Sequence, residues 1–319
     1  MIRFEVGPAD VAASRFAISP SFELGLLVRT LYRSGAGAPA AQRWGAAFAA
    51  LRDDPVVRTF GYLQGPGTGA SFAAPPPRGL AQTIDDDLAV LRGADRAVVA
   101  EEVALIRSLR RPADDVAAVL EDPAFPDRLA DGMAVVWRAL LAPDWARVRS
   151  VLERDVRFRA ERLGETGWSA ALVGVHRTLT WTGDAITIDR DLDEVTVLGG
   201  RGLLLVPSVF IGEGLAVYGE GPWQPAIVYP SRGAGLISEA APAPTDPLAP
   251  LLGRSRAGLL LALATPSSTT QLAALTGATV GATGDHLKVL LDARLVARER
   301  IGRSVVYRRT PLGDALAAP

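Results

Sequence analysis

Between Thr279 and Arg309 the chain reads TVGATGDHLKVLLDARLVARERIGRSVVYRR. This stretch holds the only lysine of 319 residues, Lys288, one of the two histidines, His286, and a run of arginines. A hydroxyl, an acid and a cation at helical spacing, followed by arginines alternating with apolar residues, are groups that bind a polyanion and read hydrogen-bonding edges. They are not a bond-breaking set. Elsewhere there is no GxGxxG opening a helix, no Walker pattern, no GxSxG and no HExxH. Gly65-Pro66-Gly67-Thr68-Gly69 is glycine-rich, but no capped helix with a lysine follows it. The chain has no cysteine, which removes disulfides, thiolate metal sites and cysteine nucleophiles, and His176 and His286 lie in different segments. No catalytic residue, metal site or cofactor is expected.

The charge is unevenly placed. The net charge is only −1, yet from residue 253 onward nine Lys and Arg face four acids. That local excess sits on the stretch quoted above. The basic residues are otherwise all arginine, alongside abundant Ala, Gly and Pro, a bias of GC-rich codon usage. A hydrophobic fraction of 49% allows a substantial core. The start, MIRFEVGPAD, lacks the basic and apolar pattern of a signal peptide, and every apolar run is shorter than a membrane span. The expectation is a cytoplasmic protein with no membrane partner.

The elements that position these groups follow from period and punctuation. IRFEV reads as a short strand, and Pro8, Pro20, Pro39 and Pro55 sit where helices begin. Apolar spacing predicts helices over 21–33, 39–51, 83–92, 94–110, 127–141 and 143–163, with Thr83 as an N-cap before Asp85, Asp86 and Asp87. After His176 the period shortens, and RTLTW, AITID, EVTVL, LLLVPSVF, LAVYG and PAIVYP read as strands. The predicted organisation is a helical region over 1–176, a small, mostly antiparallel sheet over 177–230, a Pro/Ala/Gly-rich linker over 231–247 and a C-terminal unit over 248–319. In that unit a helix over 248–263 precedes Ser268 and Gln271 at capping-box spacing, a stop at Gly277, a helix capped by Thr279, and two strands joined at Ile301-Gly302. That succession is a winged helix-turn-helix, and the fold class is α+β.

TTQLAALTGATVGATGDHLKVLLDARLV followed by RERIGRSVVYRRTPLGDAL resembles the DNA-binding domain of ArsR-type bacterial regulators. VGPADVAASRFAISPSFELGLLVRTL and GRGLLLVPSVF with PWQPAIVYP are similar to a subgroup of these regulators with a long N-terminal domain. The resemblance implies double-stranded DNA as partner, a homodimer, and a repressor released by a small-molecule effector. By position Thr279, Thr283, Gly284, Asp285 and Lys288 face the DNA, and Arg300, Arg303 and Arg308 supply phosphate contacts from the hairpin. His286 is a packing and hydrogen-bonding residue or a phosphate contact. Gly284 stands where relatives carry serine, and Asp285 either accepts from a cytosine amino group or weakens binding. A winged-helix protein-interaction module without an effector is the alternative.

For an effector the sequence offers aromatics. Trp137, Trp168, Trp181 and Trp223 are candidates to line an apolar pocket, with Arg177 or Arg201 as an anion partner; they serve equally well as core filler.

Overall fold

Prolines open the helices of the first half. Pro8, Pro20, Pro39 and Pro55 each take the first helical position, in Pro8–Ala13, Pro20–Arg33, Pro39–Ala49 and Pro55–Leu63, where a missing N–H removes no intrahelical bond. Asp54 caps the last of these, its carboxylate accepting from Val56 N at 2.8 Å and Val57 N at 3.2 Å. Thr83 caps Ile84–Arg92 as expected: its hydroxyl accepts from Asp86 N, and the Asp86 carboxylate accepts from Thr83 N at 2.9 Å. The computed structural model describes residues 1–33, 39–219, 221, 223–238, 248–301 and 304–317.

These helices, with Arg96–Leu109, Asp114–Leu120 and Phe125–Val136, enclose a core built on Leu24, Leu27, Phe60, Leu63, Phe72, Leu91, Ile106 and Leu129. Burying each such side chain stabilises the fold by about 1.5–3 kcal/mol before entropy is counted. The long helix Trp145–Thr166 serves two cores. Val148, Val151 and Leu152 enter the helical one, while Val156, one turn further on, enters the core beneath the strands. Its interior also holds an ion pair. Arg159 and Asp155 are both buried; Arg159 Nε donates to Asp155 Oδ2 at 3.0 Å, the Tyr229 hydroxyl donates to the same oxygen at 2.8 Å, and Arg232 N donates to Asp155 Oδ1 at 3.1 Å.

The strands are β1 (Ile2–Glu5), β2 (Arg15–Phe16), β3 (Leu179–Trp181), β4 (Ala185–Ile188), β5 (Glu194–Val197), β6 (Leu204–Ser208), β7 (Ala216–Tyr218) and β8 (Ala226–Pro230). They form two four-stranded sheets, ordered β3-β4-β1-β5 and β2-β6-β8-β7. This corrects the expectation of a single, mostly antiparallel sheet over 177–230. β1 runs parallel to β5, and β2, β6 and β8 run parallel to one another. The physical sign was the unbroken apolar run: every residue of β6 is buried, as suits a parallel strand covered on both faces. Asp10 ties the chain start to the strands, its carboxylate accepting from Gly7 N, Gly200 N and Gly202 N.

In the C-terminal segment Gly253, at φ 79°, breaks the expected helix over 248–263 into Ala249–Leu252 and Arg254–Ala262. There follow β9 (Ser267–Ser268), the helices Thr269–Thr276 and Val280–Asp292, β10 (Val296–Ile301), β11 (Ser304–Arg309) and the helix Pro311–Ala317. The three strands form a sheet ordered β10-β11-β9. Leu259, Leu260, Leu263, Leu272, Leu287, Leu290 and Leu295 make its separate core. The chain is thus a mixed α+β protein with a mostly helical first part and small sheets. No described helix is long and apolar enough to cross a membrane.

Candidate functional site

One reciprocal cap and one simple cap start the two helices of 269–292. Ser268 Oγ accepts from Gln271 N, and Gln271 Oε1 accepts from Ser268 N at 3.0 Å. Gly277, at φ 68°, ends the first helix in the left-handed conformation that a side chain would strain. Thr279 Oγ1 accepts from Ala282 N at 3.2 Å and starts the second. Leu287 and Leu290 then face the core, and helical geometry places Thr283 on the same inner stripe, four and seven residues before them. Thr283 is fully buried and its hydroxyl has no hydrogen-bond partner. This overturns the expectation that Thr283 faces outward.

The outward stripe is Gly281, Ala282, Asp285, Lys288, Val289 and Asp292, with Thr279 exposed at its foot and Gly284 and His286 half-buried at its edges. Asp285 and Lys288 are exposed as expected, whereas Gly281 and Ala282, exposed beside them, were not among the expected residues. A β-carbon added at Gly281 or Gly284 would meet nothing within 4 Å, and neither residue lies at positive φ. The protein interior therefore does not require glycine at either position.

The adjoining hairpin pairs Val296 with Arg309, Arg298 with Tyr307 and Arg300 with Val305. Because cross-strand partners share a face and neighbours alternate, Arg298 and Arg300 project to one side and Arg308 to the other. All three are exposed. Arg303 lies outside the described residues. Arg309 turns back onto the unit: its Nε and Nη2 donate to the carbonyls of Leu260 and Leu261, both at 2.7 Å, satisfying the C-terminus of Arg254–Ala262.

That helix end is also gripped from the first part of the chain. Arg154 Nη2 donates to Ala262 O, Arg157 Nη1 donates to Pro266 O at 2.9 Å and Arg157 Nη2 to Gln271 Oε1 at 3.2 Å. Ser150 Oγ donates to Gln271 O, and Gln271 Nε2 donates to Glu153 Oε2. Burial, then the cations Arg157, Arg232 and Arg309, lower the Arg154 guanidinium to about 10. The long helix and the helix pair are therefore joined by a polar clamp. Its sequence signal was faint: Arg154 and Arg157 are three apart on a helix rich in arginine and acids.

The tryptophans do not converge on one pocket. Trp137 packs edge to face on Trp145 at 5.0 Å in the helical core, and Trp223 Nε1 donates to Glu102 Oε1 at 3.1 Å beside it. Trp168 and Trp181 belong to the other core, where with Val11, Leu172 and Leu205 they line a cavity of about 10 Å³, the limit for a single water. Arg177 is exposed, and the Arg201 guanidinium donates to Leu198 O and Val197 O rather than into a cavity. A larger, open cleft of about 350 Å³ lies against Arg96–Leu109, lined by Arg96, Val103, Arg107, Asp122 and Phe125, none of them predicted. His176 is held between Thr178 Oγ1 and Glu213 O, both at 2.8 Å, as a structural tie.

Residues 79–235 match the model of a family of unknown function, DUF5937. The match covers the helices from Ile84–Arg92 onward and the strands β3 to β8, leaves out β1 and β2, and ends before the C-terminal segment. No curated protein and no solved structure matches the chain.

Proposed function

We propose that this chain is a sequence-specific DNA-binding transcriptional regulator, a homodimeric repressor of the ArsR type whose C-terminal segment works as a winged helix-turn-helix. In this reading Val280–Asp292 enters the major groove and the β10–β11 hairpin lies on the flanking backbone. One observation carries it: the outward stripe of Asp285 and Lys288 adjoins a hairpin with exposed Arg298, Arg300 and Arg308. An α-helix is about 10–12 Å across with its side chains, narrow enough for a groove about 12 Å wide, and Val280–Asp292 is exposed along one face to enter it. One such unit spans about half a turn of duplex, so a second copy supplies the remaining affinity. Exposed Leu251, Leu261 and Leu312, on the helices flanking the unit, offer that copy an apolar face.

The first part of the chain is the effector-responsive part, and the clamp of Ser150, Arg154 and Arg157 on 262–271 is the route by which a change there reaches the DNA-facing helix. A protein-interaction module is the second reading. It draws on Val280, Val289 and Val305, which are exposed beside Asp285, Asp292 and Glu299.

The test is selection of fragments from sheared genomic DNA by the full chain. The proposal expects a few fragments to be enriched, carrying two related half-sites about one helical turn apart. Recovery of no preferred fragment, with duplex binding no stronger than that of a control protein of similar charge, would leave only the second reading.

A further inference from the structure

The outward stripe of Val280–Asp292 carries three charged side chains, Asp285, Lys288 and Asp292. It therefore brings a net negative charge toward any duplex it meets, and the attraction to phosphates falls to the hairpin. An acid at such a surface weakens binding to every sequence unless a particular base edge compensates it. Asp285 and Lys288 are both exposed, and neither side chain makes an ion pair or hydrogen bond with another described residue. The surface around Asp285 is also kept flat: glycine is a costly residue inside a helix, and nothing within the protein demands it at Gly281 or Gly284.

Resting on the DNA-binding reading above, we propose that Asp285 and Lys288 set base preference as a pair and select a C·G base pair in each half-site. An ionised carboxylate only accepts hydrogen bonds and an ammonium only donates them. In the major groove guanine shows two acceptors and thymine an acceptor and a methyl group, so both repel Asp285 or leave it unpaired. Adenine places its N7 acceptor beside its amino group. Cytosine alone offers an amino donor with no acceptor on the same base edge, and the neighbouring guanine acceptors are taken by the cation. Asp285 accepts from cytosine N4, and Lys288 donates to the O6 and N7 of the paired guanine. Three residues apart on one helix face, the two β-carbons lie about 5–6 Å from each other, a spacing matched to the two edges of one base pair. Asp285 is thus a filter that rejects other sequences.

The experiment is selection from a randomised duplex pool at one fixed salt concentration, with the full chain as wild type, D285N, D285A and K288A. Binding to unselected duplex is titrated in parallel. Wild type is expected to enrich half-sites with an invariant C·G pair, and replacing that pair should weaken its binding about 10-fold or more. For D285N and D285A the same replacement should cost several-fold less than for wild type, the remainder being the Lys288 contact to guanine, while their binding to unselected duplex becomes tighter. Asn donates and accepts, so D285N should move the preference toward adenine. K288A should relax the guanine requirement. If D285A keeps the wild-type preference at every position, the pairing of Asp285 with cytosine is overturned while DNA binding stands. If wild type binds no duplex even at low salt, the DNA-binding reading falls, and this inference with it.

Discussion

Glu23 is a carboxylate sealed inside the protein, only 1% exposed. Burial pushes it up to about 8 from an ordinary 4.5, against the pull of hydrogen bonds from the Ser208 hydroxyl and the N–H groups of Val209, at 3.1 Å, and Phe210. Between those two values the folded chain keeps a proton that the unfolded chain releases, so stability falls as pH rises from about 4.5 to about 8. Each unit is about 1.4 kcal/mol, which makes the full loss about 5 kcal/mol, a third or more of the stability of a typical domain. Glu23→Gln removes the titration while keeping shape and a hydrogen-bond acceptor. Urea unfolding followed by tryptophan fluorescence should show the variant gaining on wild type by about 4 kcal/mol between pH 5 and pH 8. Asp87, which burial pushes up to about 6 and which stays ionisable in both proteins, adds the same pH slope to each and cancels in the difference. A gap that stays constant within about 1 kcal/mol across that range would refute the reasoning, because it would mean that Glu23 ionises in the fold as freely as in the unfolded chain.

Three further perturbations probe other sites. Asp155→Ala leaves the Arg159 guanidinium buried without its counter-charge and should cost about 3–5 kcal/mol, whereas Tyr229→Phe, which removes one of three donors to that carboxylate, should cost about 1–2 kcal/mol; both are read by urea unfolding at pH 7. Gly281→Ala with Gly284→Ala should stabilise the helix Val280–Asp292 by about 1 kcal/mol each, since the added methyl groups meet no protein atom, yet weaken duplex binding; hydrogen exchange and a binding titration on one sample separate the two effects.

Much of the fold was legible because its signals are local. Proline at helix starts, Thr83 and Thr279 as caps, the reciprocal Ser268 and Gln271 pair and the stop at Gly277 each need only a few neighbouring residues. What escaped depends on partners far along the chain. β1 and β2 insert beside strands formed about 180 residues later, and strands this short carry too few residues to mark their direction. At the candidate site the candidate helix and hairpin were readable, but Thr283 was assigned outward because the inner stripe is fixed by Leu287 and Leu290, not by the cap. Arginine in the sequence looks the same whether it faces a polyanion or a carbonyl. Arg309 and Arg157 proved to be bound to backbone oxygens, and only packing distinguishes them from Arg298 and Arg308. The tryptophans divided between two cores for a similar reason: aromatic composition does not say which elements meet.

Whether the helix Val280–Asp292 and the β10–β11 hairpin grip duplex DNA is read most directly from the dependence of the full chain's affinity on salt, for a selected site and for random duplex. Log affinity should fall linearly with log salt on both. Arg308→Ala should lower the steepness by about one unit per binding unit on both, whereas Lys288→Ala should erode the preference for the selected site. A flat salt dependence, with the selected and random duplexes bound equally by wild type, would contradict such a grip.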